Sequence, residues 1–521
     1  MVRELIKHPL YTIVYAAFAF FIVVPVLYTV GTVFFTGPPL SDTIQLLDKD
    51  LFILLGKSSI IAFSIAFLST LFGTILAFLL YKTDFAFRNF FKIAILAPLF
   101  ISPYILAVAW KDFFYLAFGS TAIISSNTGV ILVLTFVYTP LSMLIIGSAL
   151  SNINSQLEET GFVITNYFRV ILKITMPLIK PALTTSFVLV FIFSISEFSV
   201  PAFFGAKVFV TEIFTQFSAF YNHSLAILQS ALLIIICVLL LYADRKHLSD
   251  APFLSISEKG TGNRAYLLRK RKPYVWLAVS TWFFISVIFP FIILIVQSFE
   301  NGTDQFLKAY NLLKPTFGTS IWLALVGSLI TISIGFMAAY AFEVKKLKSF
   351  DRLLLFVFAI PSTIFGISLI KFYNHPFFNL IYSGYAIILI GYIGKFTFIS
   401  TKLIGNAIKQ IPYSLEEAAQ IEGVGYYRRL QKIILPLILP ALFVAGIINF
   451  IFFLGELGTT IMLYPPGTEI MPIKVFTIMA NSPQSLTSSM TLIVFSITLI
   501  TIALFYFSAN LLFKFKTLKF P

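Results

Sequence analysis

Two glutamates lie within apolar runs that are long enough to cross a membrane. Glu197 stands in the run Ile-Ser-Glu-Phe and Glu456 in the run Leu-Gly-Glu-Leu. A carboxylate near the bilayer centre costs roughly 2.5–3.5 kcal/mol on insertion scales, so it usually faces a bundle interior, a cavity or a partner. Two carboxylates on one translocation path would attract a cationic substrate. If nearby Ser, Thr or backbone N–H groups cap them, they instead hold helices together, and the sequence leaves both interpretations open.

Two further polar residues lie in apolar runs. Lys395 is a candidate counter-ion for either glutamate, or a residue of the translocation path. Asn449 is a weaker path candidate, because Asn and Ser commonly join membrane helices. The four histidines are scattered and the chain has a single cysteine, so we expect no preformed metal site. Glu197 and Glu456 are suitable in type for Fe³⁺, which favours hard oxygen ligands.

A different chemistry is indicated by one polar segment in the second half of the chain. Glu416, Glu417, Ala418 and Ala419 begin a short stretch of helix-forming residues that Gly423 interrupts. Small alanines would let another protein approach closely, and glycine tolerates the positive φ of a tight turn. We interpret the segment as a docking helix. The alternative, an amphipathic helix on the membrane surface, calls for a face rich in Lys and Arg, whereas the first turns here are acidic.

The elements that position these residues are membrane spans. The 521 residues are 59% hydrophobic and 11% charged, against about 25% charged residues in ordinary globular domains. Apolar runs of about 20 residues, the length of a bilayer crossing, predict an all-α protein with twelve spans: about 12–33, 55–80, 92–110, 128–149, 183–204, 225–243, 274–297, 319–342, 353–371, 382–403, 438–463 and 488–512.

The basic residues set the orientation. Placing the N-terminus inside puts most of the 37 Lys and Arg residues in termini and loops on the cytoplasmic side, as the positive-inside rule requires. We therefore predict an N-in, C-in protein of the bacterial inner membrane. We attribute the net charge of +15 to the basic residues of cytoplasmic loops, which lie near anionic lipid. No nucleic-acid partner is expected.

An internal repeat divides the chain. Residues 158–183 align with 417–442 without a gap, and 11 of the 26 pairs are identical. At the same offset of 259 residues, Glu197 falls on Glu456. We predict a first half at 1–243 and a second half at 274–521. The basic segment 244–273 is interpreted as a cytoplasmic linker near anionic headgroups, with a basic interaction patch as the alternative. Because six spans separate the repeats, they are parallel.

The docking segments carry a known motif. Glu417-Ala418-Ala419, three residues, Gly423, nine residues, and then Ile-x-Leu-Pro436 resembles the EAA motif of ABC importer permeases. The copy in loop 404–437 is complete. The copy in loop 150–182 is degenerate. It keeps Glu158 and Pro177, whereas Glu159 and Thr160 replace the two alanines and Ile164 replaces the glycine.

The resemblance covers essentially the whole chain and implies a MetI-like permease fold with two coupling helices. It also implies an importer whose ATP and Mg²⁺ bind a separate ATPase subunit, expected in two copies, while an external binding protein delivers the substrate. The permease itself is then no enzyme and binds no cofactor. In agreement, the P-loop-like run Gly56-Lys57-Ser58 has Leu51 where the first glycine of a P-loop stands.

The substrate is less constrained. Two fused six-span halves resemble the ferric iron and thiamine permeases of this group. Ferric iron is the first expectation, because of the paired carboxylates and an acidic first external loop with Asp42, Asp48 and Asp50. Thiamine is the alternative, and a polyamine or an anion such as sulfate stays open. A rival from another class is a proton-coupled secondary transporter that uses Glu197 and Glu456 as proton sites.

Overall fold

The computed structural model describes residues 9–35, 48–248, 266–300, 302–344, 348–479 and 481–517. Within these ranges the chain is built of helices, with no named strand. Ten of the described helices are long and apolar enough to cross a membrane, or up to twelve if each of two bent helix pairs forms one span. The predicted all-α membrane protein is confirmed. The N-in, C-in orientation stays a prediction. Asp42 and most of the linker lie outside the described residues.

The helices follow in the order that the spans predict. In the first half they are α1 (Tyr11–Thr32), α2 (Lys49–Lys82), α3 (Arg88–Phe100), α4 (Pro103–Phe118), α5 (Asn127–Ser151), α6 (Ser155–Ile164), α7 (Phe168–Ser196), α8 (Ser199–Phe204), α9 (Phe209–Ser218) and α10 (His223–Asp244). In the second half they are α11 (Arg269–Phe299), α12 (Asp304–Glu343), α13 (Ser349–Ala359), α14 (Ser362–Tyr373), α15 (Ala386–Lys409), α16 (Tyr413–Ile421), α17 (Tyr426–Gly455), α18 (Thr460–Leu463), α19 (Met471–Met479) and α20 (Gln484–Phe505).

The chain forms two compact units that differ from its sequential halves. One unit contains residues 33–309 and 481–492, and therefore includes α11 with α2 to α10. In it, the α11 residues Trp282 and Phe289 pack on Phe72 of α2 and Trp110 of α4. The predicted halves, 1–243 and 274–521 with a linker at 244–273, describe the sequence repeat and stay a prediction.

The other unit contains residues 1–32, 310–480 and 493–521, so that α1 belongs with the helices of the second half. Phe18 of α1 packs edge-on against Phe350 of α13, with ring centroids 6.0 Å apart. The hydroxyl of Tyr373 on α14 donates to the backbone carbonyl of Phe21 at 2.9 Å. Both units thus take the first span of the opposite half.

The repeat extends to irregular features of the helices. Five-residue π-helical turns lie at Ala19–Val23 in α1 and Phe284–Ile288 in α11. A second pair lies at Ile171–Thr175 in α7 and Leu430–Ile434 in α17, at the repeat offset of 259 residues. The third span of each half is a bent pair, with 92° between α3 and α4 and 103° between α13 and α14.

Equivalent hydrogen bonds join equivalent helices. The hydroxyl of Ser58 on α2 accepts from the backbone N–H of Phe209, at the start of α9, at 2.8 Å. Ser320 on α12 does the same for Met471, at the start of α19, at 2.9 Å. These N–H groups start helices and have no partner within the helix, so the serines satisfy them inside the protein.

Three helices begin well before the spans predicted for them. Of these, α12 begins at Asp304, 15 residues before the eighth span expected at about 319–342. The fifth and eleventh spans were expected at about 183–204 and 438–463, but α7 and α17 begin 15 and 12 residues earlier, at Phe168 and Tyr426, and end at Ser196 and Gly455. Each continues past a break into a short helix. Hydropathy does not show these breaks, because apolar residues continue on both sides of each one. At each break, the glutamate that follows the helix accepts hydrogen bonds from backbone N–H groups beyond it.

One proline in each copy of the motif follows a π-helical turn. Pro177 and Pro436 lie inside α7 and α17, two residues after the end of the turn. A proline removes one backbone donor and crowds the preceding turn. The wider π-helical turn gives the ring space without ending the helix.

Candidate docking helices and in-membrane polar groups

The second candidate docking helix, α16, ends as the motif predicts. Gly423 follows it with φ +74°, a conformation that side chains rarely adopt. Its N–H bonds the carbonyl of Gln420 at 3.0 Å, and the N–H of Val424 bonds the carbonyl of Ala419 at 3.0 Å. These bonds close the helix end in a tight turn. The predicted role of Gly423 in the backbone is confirmed.

The two glutamates of α16 face different surroundings. Glu416 is half-buried, and one of its carboxylate oxygens accepts from the hydroxyl of Tyr340 on α12 at 2.6 Å. Glu417 and Ala418 are exposed, and Ala419 is half-buried. Leu415 and Ile421 are also exposed, Ile421 to 85% of its surface. The exposed face therefore mixes acidic, small and apolar side chains.

Tyrosines hold α16 to the rest of its unit. Tyr340 stacks on Tyr11 of α1, with ring centroids 6.1 Å apart, and packs edge-on against Tyr426, which begins α17. The hydroxyls of Tyr11 and Tyr426 are hydrogen-bonded. Glu416 thus belongs to a cluster that joins α1, α12, α16 and α17.

The first candidate docking helix, α6, has a different end. Asn154 caps its start, because the side-chain oxygen accepts from the N–H of Gln156 at 3.0 Å. Ile164, which stands where the motif has glycine, is the last helical residue. Thr165 follows with extended backbone and donates its N–H to the carbonyl of Gly161 at 2.9 Å. Without a glycine, the chain leaves α6 by an extended residue instead of a left-handed turn.

Glu158 lies inside the protein. Its carboxylate forms an ion pair with Lys82 at 2.8 Å, and the two side chains are 5% and 1% exposed. Thr175 and Tyr266 donate hydroxyl hydrogen bonds to its other oxygen at 2.9 and 3.2 Å. Glu159 is half-buried. The exposed side chains of this region include the apolar Leu157, Val163, Ile164 and Phe168, beside the polar Gln156 and Thr160.

Lys82 and Tyr266 were missed by sequence reasoning. Lys82 ends α2, 76 residues before Glu158, and Tyr266 lies 108 residues after it. A lysine at a predicted cytoplasmic end of a span is ordinary under the positive-inside rule. The available signal was Glu158 itself, the glutamate that the degenerate copy keeps from the motif.

The last residues of the linker are attached beside the ion pair of Lys82 and Glu158. The N–H of Tyr266 donates to the carbonyl of Lys82 at 2.7 Å, and the N–H of Leu268 donates to Asp84 at 2.8 Å. Asp84 also pairs with Lys272 at 2.9 Å. The Leu268 N–H and the Lys272 ammonium together lower the pKa of Asp84, since both favour the charged carboxylate.

Glu197 follows the end of α7 and caps α8. One carboxylate oxygen accepts from the backbone N–H of Ser199 at 2.9 Å and from the Ser199 hydroxyl. The other accepts from the hydroxyl of Tyr138 on α5 at 3.3 Å. The carboxylate therefore joins the break between α7 and α8 to α5.

Glu456 holds the equivalent break in the second half. Its oxygens accept from the backbone N–H groups of Thr459 at 2.7 Å and Thr460 at 2.9 Å, and from the Thr460 hydroxyl at 2.5 Å. Glu456 is buried. Both glutamates have the hydrogen bonds that the structural interpretation of the sequence requires.

Lys395 and Asn449 contact other elements of the same unit. The Lys395 ammonium donates to the carbonyl of Ile360 at 2.7 Å, in the bend between α13 and α14. A cation is favourable there, because the last carbonyls of a helix carry partial negative charge. Asn449 on α17 is fully buried, and its amide nitrogen donates to the hydroxyl of Ser400 on α15 at 2.5 Å.

A metal site is not evident in the described ranges. Among those residues, no group of three or more His, Cys, Asp or Glu could hold a metal ion. Asp48 caps the start of α2, accepting from the N–H of Lys49 at 2.6 Å, and Asp50 is exposed in its first turn.

Comparison with known families decides the classification. The family of binding-protein-dependent transport system inner membrane components matches residues 69–248 and 331–515, which together are more than two thirds of the sequence. The chain belongs to this family. The domain occurs twice, once in each predicted half, and the resemblance stated from the motif is confirmed. With its apolar helices, this permease is a multi-pass inner-membrane protein.

Curated relatives agree with the family. The permease is 25% identical over 426 residues to the Fe(3+)-transport system permease protein FbpB 2 of Haemophilus influenzae, across 78% of this chain and 79% of the relative. It is 23% identical over 492 residues to the ferric transport system permease protein FbpB of Actinobacillus pleuropneumoniae, across 87% and 71%. The probable transport system permease protein NifC of Clostridium pasteurianum is 23% identical over 267 residues, covering 48% of this chain and 92% of NifC.

Proposed function

We propose that this chain is the permease of an ABC importer for ferric iron. The observation that carries the substrate is its similarity, over 78–87% of the chain, to permeases named for Fe(3+) or ferric transport. Because this similarity extends over both halves, it matches the fused architecture as well as the family domain.

The energy source in this proposal is a separate ATPase subunit, present in two copies. The helices α6 and α16 dock one copy each, through Glu417, Ala418 and Ala419 in α16 and through the apolar residues around Ile164 in the first half. The support is the exposure of Glu417, Ala418 and Ile164, which lie on helices at repeat-equivalent positions, while Ala419 is half-buried. ATP binding brings the two subunits together and moves both docking helices, and rocking of the halves alternates access across the membrane.

An external binding protein delivers the ion in this scheme, and the permease passes it on without holding it tightly. ATP and Mg²⁺ bind the ATPase, so the permease itself has no cofactor. Glu197 and Glu456 keep the breaks after α7 and α17 in place, since their hydrogen bonds lie within those breaks. Lys395 and Asn449 likewise hold helices together, at the bend before α14 and between α15 and α17.

The substrate is tested by uptake of radiolabelled ferric iron and of thiamine in a deletion strain that carries either the wild type or Gly423→Glu. We expect iron uptake to be lost in the deletion strain and restored only by the wild type, because the bulky charge at Gly423 prevents docking. Unchanged iron uptake with lost thiamine uptake would contradict the ferric assignment and favour the alternative. Normal uptake with Gly423→Glu would contradict the docking role of α16.

A further inference from the structure

Four segments of the first unit meet at one carboxylate. Glu158 of α6 contacts Lys82 at the end of α2, Thr175 in α7 and Tyr266 in the segment before α11. The ion pair is 2.8 Å long and almost completely buried. A charge in this position is costly unless a partner and further hydrogen bonds satisfy it, and all three contacts do so here.

A second set of bonds fixes the lead-in to α11 at the same place. The backbone N–H of Tyr266 bonds the carbonyl of Lys82, while Asp84 accepts from Leu268 and pairs with Lys272. The first turn of α11 is therefore attached to the residues that end α2. A displacement of α6 that kept the Glu158 contacts would carry α2, α7 and α11 with it.

The repeat-equivalent glutamate has different surroundings. Glu417 is exposed on α16, and the side chain that attaches α16 to its unit is the neighbouring Glu416, through a hydrogen bond to the uncharged Tyr340. The two copies of the motif thus use their shared glutamate differently: one carboxylate faces outward and the other faces the protein interior.

We propose that Glu158 is a positioning residue that transmits movement of the first docking helix to α2, α7 and α11, and that it makes no contact with the ATPase. This inference rests on the proposed function, since it assigns Glu158 a part in ATP-driven transport. It replaces the docking role that the motif alone gives to Glu158, and it leaves docking in the first half to the exposed apolar side chains of α6.

The test uses the full permease in proteoliposomes with its ATPase and its iron-loaded binding protein. Two variants, Lys82→Met and Glu158→Gln, break the ion pair. We expect both to retain the ATPase and to hydrolyse ATP, while iron uptake per ATP falls by about tenfold, within the usual range of coupling between two sites. The reversed pair Lys82→Glu with Glu158→Lys restores the attraction and should regain most of that loss.

Two further variants serve as controls. Lys207→Met removes an exposed lysine that pairs with the half-buried Glu212 in the same unit, and it should leave uptake per ATP unchanged. Glu417→Gln alters the exposed repeat-equivalent carboxylate and should weaken ATPase binding without changing uptake per ATP hydrolysed. Comparing the variants Glu158→Gln and Glu417→Gln therefore distinguishes transmission of helix movement from docking of the ATPase.

Several outcomes would overturn the proposal. Unchanged uptake per ATP in both ion-pair variants would show that the buried pair transmits nothing. Loss of ATPase binding in Glu158→Gln, with the permease still folded, would return Glu158 to a docking role. If the single variants fail to fold, Thr175→Val and Tyr266→Phe remove neutral hydrogen bonds to the same carboxylate, and normal uptake per ATP in both would contradict the proposal. A wild-type complex without ATP-dependent uptake would instead contradict the proposed function itself.

Discussion

Gly423 is the residue of the EAA motif that adopts a left-handed backbone conformation. Its φ of +74° is strained for any L side chain, yet no atom lies within 4 Å of the position that a Cβ would take. Gly425, two residues later, has equally open space but a φ of −59°. The same substitution at the two positions therefore differs only in backbone strain.

We predict that Gly423→Ala weakens ATPase binding and that Gly425→Ala leaves it nearly unchanged. A left-handed conformation costs a residue with a Cβ about 1–2 kcal/mol, which corresponds to a roughly five- to thirtyfold loss of affinity if docking requires the native turn. Titration of the ATPase against permease in nanodiscs measures both variants. Equal losses at the two positions would show that the turn has no special part in docking.

Asp84 gives a pH dependence whose sign follows from its contacts. The Leu268 N–H and Lys272 lower its pKa in the folded protein below its ordinary value of 3.8. A lowered pKa means that the carboxylate contributes stability at pH values above the ordinary value, and that this contribution is lost as the pH falls through the folded value.

We therefore predict that Asp84→Asn lowers the melting temperature by a constant amount between about pH 5 and pH 8, and that the difference from the wild type shrinks below about pH 4. Thermal unfolding of both proteins across this range, in one detergent, measures the difference. A difference that grows on acidification would contradict the assignment.

At the residue scale, sequence reasoning succeeded where the chemistry is local. The positive φ of Gly423 follows from a motif that spans a few residues. The burial of Glu158 does not, because its partner Lys82 is 76 residues away and nothing near Glu158 in the sequence identifies it. Glu197 and Glu456 lie between these cases: their capping partners are two to four residues away, so the structural alternative could be stated but not chosen.

At the scale of the elements, one helix pair in each half packs closely at a glycine: α2 on α5, and α12 on α15. A Cβ at Gly73 on α2 would lie 2.5 Å from the Cβ of Ser142 on α5, and one at Gly335 on α12 would lie 2.7 Å from the Cβ of Ser400 on α15. Small residues allow membrane helices to pack this closely. The same helices carry Gly56 and Gly318, where a Cβ would meet no atom within 4 Å.

We predict that Gly73→Ala and Gly335→Ala each destabilise the permease by about 1–3 kcal/mol, the usual cost of overpacking, because backbone or Cβ atoms would have to move. Gly56→Ala and Gly318→Ala are the matched controls and should be neutral or slightly stabilising. Thermal unfolding of the four purified variants measures the contrast. Equal stability of all four would mean that the two helix pairs are not packed as closely as described.

Helix existence was predictable from apolar runs, but breaks within those runs were not. A break at Glu197 or Glu456 leaves hydropathy unchanged, since apolar residues continue on both sides. The π-helical turns before Pro177 and Pro436 are equally invisible, although the prolines themselves signalled an irregularity. Spacing shows that two segments are equivalent, whereas tertiary contacts decide where a helix begins and ends.

At the scale of the whole molecule, the internal repeat carried most of the prediction. An offset of 259 residues gave two parallel halves, and the family domain matches each of them. The exchange of first spans was not predictable, because α1 and α11 are apolar helices whose sequences do not specify which unit they join. The orientation of the termini rests on the positive-inside rule and stays a prediction.

The central claim is that transport through this chain is driven by a separate ATPase. The most direct measurement is ferric iron uptake by proteoliposomes that contain the permease alone or with its ATPase and binding protein. Each preparation is supplied with ATP, a non-hydrolysable ATP analogue or an imposed proton gradient. We predict uptake only with all three proteins and hydrolysable ATP. Uptake by the permease alone, driven by the proton gradient and unaffected by Gly423→Glu, would contradict the account and identify a secondary transporter.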